Sequence, residues 1–147
     1  MVVYIVIKCI ERSYVSRPIS WGEMDLFGHL NNVHYFRYLE DARIGFLKEI
    51  NFFDLQLYCV ILKNECDYKQ PVVYPDTLIT TSYVTHVGNT SFTMCYVMKS
   101  QQQDCVVALG KSVMVIVDPK TFQKQSIPVH ARETLTAYMR EFPYDKS

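Results

Sequence analysis

The clearest pattern along the chain is one of helical spacing, in which Tyr35, Tyr38, Leu39, Ala42, Phe46 and Ile50 recur every three to four residues. Arg37, Glu40, Asp41, Arg43 and Lys48 fall mostly between them, so the segment predicts an amphipathic helix with one apolar stripe. Asn31 or Asn32 is positioned to cap its start, because an Asn side chain accepts a hydrogen bond from an orphan first-turn amide. Asn51 suits a left-handed end. Beyond the helix the period changes to two. Leu57 to Tyr68 reads as a strand, and so does Thr77 to Thr85, where Ile79, Thr81 and Tyr83 alternate with Leu78, Thr80 and Ser82. Phe92, Met94, Tyr96 and Met98 then alternate with Thr93, Cys95, Val97 and Lys99, and Gln101 to Asp104 leads into a long strand from Val106 to Val117. Pro71 and Pro75-Asp76 mark the turn after the first of these strands, and Asp118-Pro119 ends the last. The pattern predicts antiparallel neighbours joined by short turns. Behind Pro128, the residues Leu135, Tyr138, Met139 and Phe142 form a second helical stripe.

The resulting class is α+β. One long early helix followed by a curved antiparallel sheet has a simple packing solution, with the helix on the concave face of the sheet, which is the hotdog arrangement. No internal repeat and no linker rich in Gly, Pro or Ser divides the 147 residues, so one domain over 1–147 is expected. Composition supports a packed core: 49% of residues are hydrophobic and 20% charged, with eleven Tyr and eight Phe. Fifteen basic and fifteen acidic residues cancel, so no global field favours nucleic acid or an anionic membrane. The apolar opening Met1 to Ile7 is far short of the roughly 20 residues a spanning helix needs, and it reads as an extra strand or a strand extension. Cys9, Cys59, Cys66, Cys95 and Cys105 are odd in number and unpaired in spacing, which implies reduced thiols and a cytoplasmic setting. Neither they nor His29, His34, His86 and His130 are grouped like metal ligands, and no cofactor is expected.

Candidate chemistry gathers just before the helix, in Trp21-Gly22-Glu23-Met24-Asp25-Leu26-Phe27-Gly28-His29-Leu30-Asn31-Asn32. A helix start presents free N–H groups and partial positive charge, which polarise a carbonyl and hold the oxyanion formed when that carbonyl is attacked. Asp25, a few residues upstream, is positioned to fold back over such a site, as nucleophile or as general base. The competing assignment for an Asp in this position is a turn former or a cap.

The run from Asp25 through Gly28-His29-Leu30-Asn31-Asn32 to Tyr35, followed by Tyr38-Leu39-Glu40-Asp41-Ala42-Arg43, resembles the signature of the 4-hydroxybenzoyl-CoA thioesterase family. Asp67-Tyr68-Lys69-Gln70-Pro71 with Tyr74-Pro75-Asp76-Thr77-Leu78 resembles that family's following strand pair, and Val87-Gly88-Asn89-Thr90-Ser91-Phe92 its next strand entry. The likeness runs from about Tyr14 to Asp118. It implies an acyl-CoA thioesterase of hotdog fold, with Asp25 in the place of the catalytic aspartate and the backbone amide near Asn32 in that of the group binding the thioester oxygen. Substrate contacts are implied for His29, Asn32, Tyr35, Thr90 and Ser91, although Tyr35 also suits packing. Some bacterial relatives carry His where this chain has Asn32, and plant acyl-carrier-protein thioesterases have Asn where it has Phe27. The resemblance further implies a homodimer or homotetramer with the site shared between subunits, and an acyl-carrier-protein thioester is a second substrate form. Lys63, Lys69, Lys111 and Arg132 are candidates for coenzyme A phosphates without a phosphate loop to favour any of them. Two other functions fit the same fold: an enoyl-CoA hydratase or dehydratase, whose usual Asn-Pro spacing between Asp and His is absent, and a non-catalytic module binding acyl thioesters.

Overall fold

The computed structural model describes residues 14–144, and the apolar opening Met1 to Ile7 lies outside them. Among the described residues five strands form one antiparallel sheet: β1 (Tyr14–Pro18), β2 (Tyr58–Tyr68), β3 (Thr77–Val87), β4 (Ser91–Ser100) and β5 (Cys105–Val117), in the order β1-β3-β4-β5-β2. Helix α1 (Asn32–Glu49) packs on the sheet, and α2 (Val129–Ala137) lies near the end of the chain. This is the expected α+β hotdog.

Helix α1 starts where Asn31 Oδ1 accepts the Val33 amide at 3.3 Å, and its end passes through Ile50 to Asn51 in the left-handed region at φ 60°. Its stripe of Tyr35, Tyr38, Leu39, Ala42, Phe46 and Leu47 is buried. The facing side of the sheet is the alternate set Leu78, Thr80, Ser82 and Val84 on β3 and Phe92, Met94, Tyr96 and Met98 on β4, all buried. Two glycines allow the close approach. A Cβ on Gly110 of β5 would meet Leu39 Cδ1 at 2.6 Å, and one on Gly45 of α1 would meet Val15 Cγ2 of β1 at 2.6 Å.

The structure departs from three expectations. First, β2 and β3 are not neighbours: β2 crosses to the far edge beside β5, with Tyr68 opposite Ala108, while β3 lies between β1 and β4. The connection between them holds Pro71 and Pro75, which lack amide donors, and fully buried Val72 accepts from the Leu30 amide, so it packs into the core instead of turning back as a hairpin. Second, α2 stops at Ala137, and Tyr138, Met139 and Phe142 lie beyond it. Among the described residues β1 pairs with β3 from Thr77 to Thr81, and beyond that the Arg140 amide donates to the Val84 carbonyl and Met139 bridges Val84. Third, Arg43 is buried with the stripe, where its guanidinium donates to Tyr96 Oη and Ser112 Oγ, and Ser112 donates to Asn64 Oδ1 on β2. These hydroxyls satisfy part of the donor fork that burial removes from water.

The fit of Leu39 over Gly110 yields a test. Leu39 and Tyr96 beside it are essentially inaccessible, so an added methyl has no free space. Gly110→Ala is expected to destabilise the fold by about 1–3 kcal/mol, read as a lowered midpoint in urea with an unchanged slope.

Candidate active site

The segment between β1 and α1 is a small hairpin that doubles back on itself. Trp21–Glu23 forms one turn of 3-10 helix, in which the Glu23 carboxylate accepts the Ser20 amide at 2.7 Å. The Glu23 carbonyl then accepts the Asn31 amide at 2.9 Å, Met24 bridges Leu30, and the Asp25 amide donates to the His29 carbonyl at 2.6 Å. Gly28 turns the tip at φ 79°, a conformation that side chains disfavour. Buried Leu30 anchors the returning arm, and Leu26 and Phe27 stand exposed at the tip.

Asp25 both forms the turn and lines a pocket. Its Oδ1 accepts the amides of Phe27 at 2.9 Å and His29 at 3.1 Å, so the residue is a turn former. Among the described residues the second oxygen has no hydrogen-bond partner, and Asp25 lines an open pocket of about 300 Å³. From the hairpin and the start of α1, His29, Leu30, Asn32 and Tyr35 share that pocket, and Tyr68, Lys69, Gln70 and Pro71 enter it from the end of β2. The Asn32 amide, first in α1, also has no acceptor among the described residues, and it lies at the positive end of the helix.

Tyr35 and Tyr68 meet edge to face with ring centres 4.9 Å apart, and the Tyr68 hydroxyl donates to the Asn32 carbonyl at 3.2 Å. Burial, then the nearby Cys66, Tyr68 and Asp25, push the Tyr35 hydroxyl up to about 12, so it stays a proton donor at neutral pH. Burial likewise pushes the Cys66 thiol up to about 11, which keeps it protonated and a poor nucleophile. The carboxylate that lines the pocket is that of Asp25, beside Tyr35 and Tyr68.

Thr90 and Ser91 are not brought to this pocket within the chain. Ser91 pairs with Val115 near one end of β5, whereas the pocket lies beside the Ala108 end. His34 faces Glu23, its Nδ1 3.5 Å from a carboxylate oxygen. A second hollow of about 370 Å³ lies by Pro18, Tyr74 and Gln102, but Asp76 there is engaged by Ser100 and by the Thr77 and Gln102 amides. The sequence does not single out Tyr68 or Gln70, and Lys69 is one of its four candidates for coenzyme A phosphates; the Asp67-to-Pro71 motif is the signal that covers all three. Among the described residues no helix is long and apolar enough to cross a membrane.

In this fold Asn32, the first residue of α1, shares a pocket with the upstream Asp25. Similarity to known proteins gives the class, a thioester hydrolase. A Bacillus subtilis protein, YsmA, is 31% identical over 120 residues, covering 80% of each chain. The long-chain acyl-CoA thioesterase FadM of Escherichia coli is 27% identical over 116 residues, covering 76% of this chain and 88% of FadM. A thioesterase from Thermus thermophilus, solved with coenzyme A and zinc, has the same fold with a TM-score of 0.75 at 23% identity, covering 85% of this chain and 92% of that one. The chain belongs to the thioesterase-like superfamily, whose family model matches residues 19–135.

The turn-forming contacts of Asp25 are open to test by substitution. Asp25→Asn keeps an oxygen for the Phe27 and His29 amides and is expected to lose less than half the stability that Asp25→Ala loses. The alanine variant should fall by about 0.5–2 kcal/mol in thermal or urea unfolding, as expected for a lost side-chain acceptor of turn amides.

Proposed function

We propose that the protein hydrolyses the thioester of an acyl-CoA to a free carboxylic acid and coenzyme A, with Asp25 as the acting acid. The observation that carries this is the pairing of an unengaged Asp25 oxygen with an unengaged Asn32 amide on one pocket. In this reading the thioester oxygen accepts from the Asn32 amide, and the positive end of α1 stabilises the charge that develops there. The carboxylate then either attacks the carbonyl carbon, expelling the thiolate and leaving a mixed anhydride for water to open, or takes a proton from water as that water attacks. Tyr35 offers a hydroxyl at the pocket and His29 lines it, while Lys69 supplies a cation where the CoA moiety would enter. Similarity to FadM, a long-chain acyl-CoA thioesterase, supports acyl-CoA as the substrate form, with an acyl-carrier-protein thioester as the alternative donor.

A second copy of the chain completes this reading. β2 is an edge strand, most of it exposed, with Ile61 and Leu62 41% and 60% accessible. Antiparallel pairing of two β2 edges would lay the Tyr58 end of one copy beside the Tyr68 end of the other. In the register of β2, β5 and β4, Thr90 and Ser91 belong to the Tyr58 end, so the pocket of one subunit would approach those residues of its partner. Sedimentation should therefore give a dimer or tetramer of the 17.2 kDa chain, and a monomer at micromolar concentration would contradict the shared site.

The chemistry is tested by incubating the protein with short, long and aromatic acyl-CoAs and following free thiol. Thiol release is expected, and Asp25→Asn should lower turnover by on the order of 10²–10⁴-fold with the fold intact. Hydration of an enoyl-CoA without thiol release would support a hydratase, and saturable binding without turnover a non-catalytic module. Unchanged activity in Asp25→Asn would move the chemistry elsewhere.

A further inference from the structure

Glu23 does more than end a turn. It lies at the base of the hairpin whose tip carries Asp25, and its carboxylate turns inward, with the side chain only 15% exposed. Three groups from two elements converge on it. Oε1 accepts the Tyr38 hydroxyl at 2.6 Å and the Ser20 amide at 2.7 Å, and Oε2 is 3.5 Å from His34 Nδ1. His34 and Tyr38 are four residues apart on α1, so they present one face of the helix to the carboxylate. The backbone of Glu23 completes the grip, since its carbonyl accepts the amide of Asn31, the residue that caps α1.

Burial pushes the Glu23 carboxyl up, but the Tyr38 and Ser20 hydrogen bonds, with His34 and Arg17 nearby, outweigh it and hold the group below the usual carboxylate range. It is therefore ionised at neutral pH. Its anchor on the helix is itself braced: the Arg17 guanidinium of β1 lies 4.8 Å from the centre of the Tyr38 ring and pairs with Asp41.

Resting on the thioesterase reading of Asp25, we propose that Glu23 is a positioning residue that fixes the Asp25 hairpin against α1, and so sets the placement of the carboxylate relative to the Asn32 amide. The two partners of the reaction lie on different elements, and Glu23 ties the two arms of the hairpin, the capping residue and the second turn of the helix together. A misplacement of about 1 Å between reacting groups is enough to cost on the order of 10²-fold in rate. The effect belongs in kcat, because substrate binding does not need the acid aligned.

The experiment compares Glu23→Ala, Glu23→Gln and Tyr38→Phe in the full chain. Glu23→Ala should lower kcat on an acyl-CoA by roughly 10–100-fold with KM within about threefold, and Glu23→Gln, which keeps an acceptor oxygen, should recover most of that loss. Tyr38→Phe removes one hydroxyl and should lower kcat alone, with a non-additive effect when combined with Glu23→Gln. Amide hydrogen exchange is read in parallel and does not depend on activity: exchange at Asp25 and Asn31 should accelerate at least about tenfold in Glu23→Ala and Tyr38→Phe relative to the core strands. Unchanged exchange at those amides overturns the positioning role, and so does a loss of kcat no greater than the loss of folded protein. If the wild-type protein releases no thiol from any acyl-CoA while the exchange result holds, the functional reading fails and the hairpin clamp stands.

Discussion

The structure depends on how closely α1 sits on the sheet. Leu39 rests over Gly110 in the space a side chain would fill, and Gly45 allows Val15 of β1 to approach the helix. That contact fixes the height of the helix above β5, and with it the position of the first turn, because α1 is a rigid rod held at its middle. The hydroxyl network around Arg43 lies one turn further along and ties the same helix to β4, β5 and, through Ser112, to Asn64 of β2. The helix start therefore presents its free amide at a defined place beside the end of β2, and the pocket is a consequence of core packing.

The hairpin ahead of α1 is built in layers of decreasing burial. Leu30 and the Val72 connection are in the core, the Glu23 carboxylate is mostly covered, Asp25 is half-buried, and Leu26 and Phe27 are in the open. Each layer fixes the next by hydrogen bonds to backbone groups, which hold direction better than apolar contact does. The carboxylate at the third layer is close enough to the core to be held and far enough out to line an open pocket.

Much of this was legible in the chain. Tyr35 to Ile50 revealed a helix because its stripe repeats, and the alternations around Phe92 and Val107 revealed strands because one face of each is buried. Asp25 stood out through its neighbours Gly28, His29 and Asn32, and the structure does bring it to one pocket with His29, Asn32 and Tyr35. Strand order was less accessible, since two strands joined across Pro71 and Pro75 look like a hairpin until the packing of Val72 and the Leu30 contact are known. Arg43 reads as a surface charge in any helical projection; only the hydroxyls of Tyr96 and Ser112, distant in sequence, explain its burial. The roles of Glu23 and Tyr68 were obscured for the same reason, because their partners lie on elements the sequence does not place beside them.

One oxygen of Asp25 is held by the amides of its own turn, and among the described residues the other accepts no hydrogen bond. The carboxylate plane is therefore set by the backbone of its own turn, and rotation about its last bond would break two hydrogen bonds before it brought any other lone pair to bear. A glutamate, one methylene longer, would carry the same charge but could not hold the Phe27 and His29 amides with one oxygen while leaving the other at the same point in the pocket. At this position a longer side chain would disturb the turn and the direction of the carboxylate together, whereas the isosteric amide would keep the turn and change only the charge.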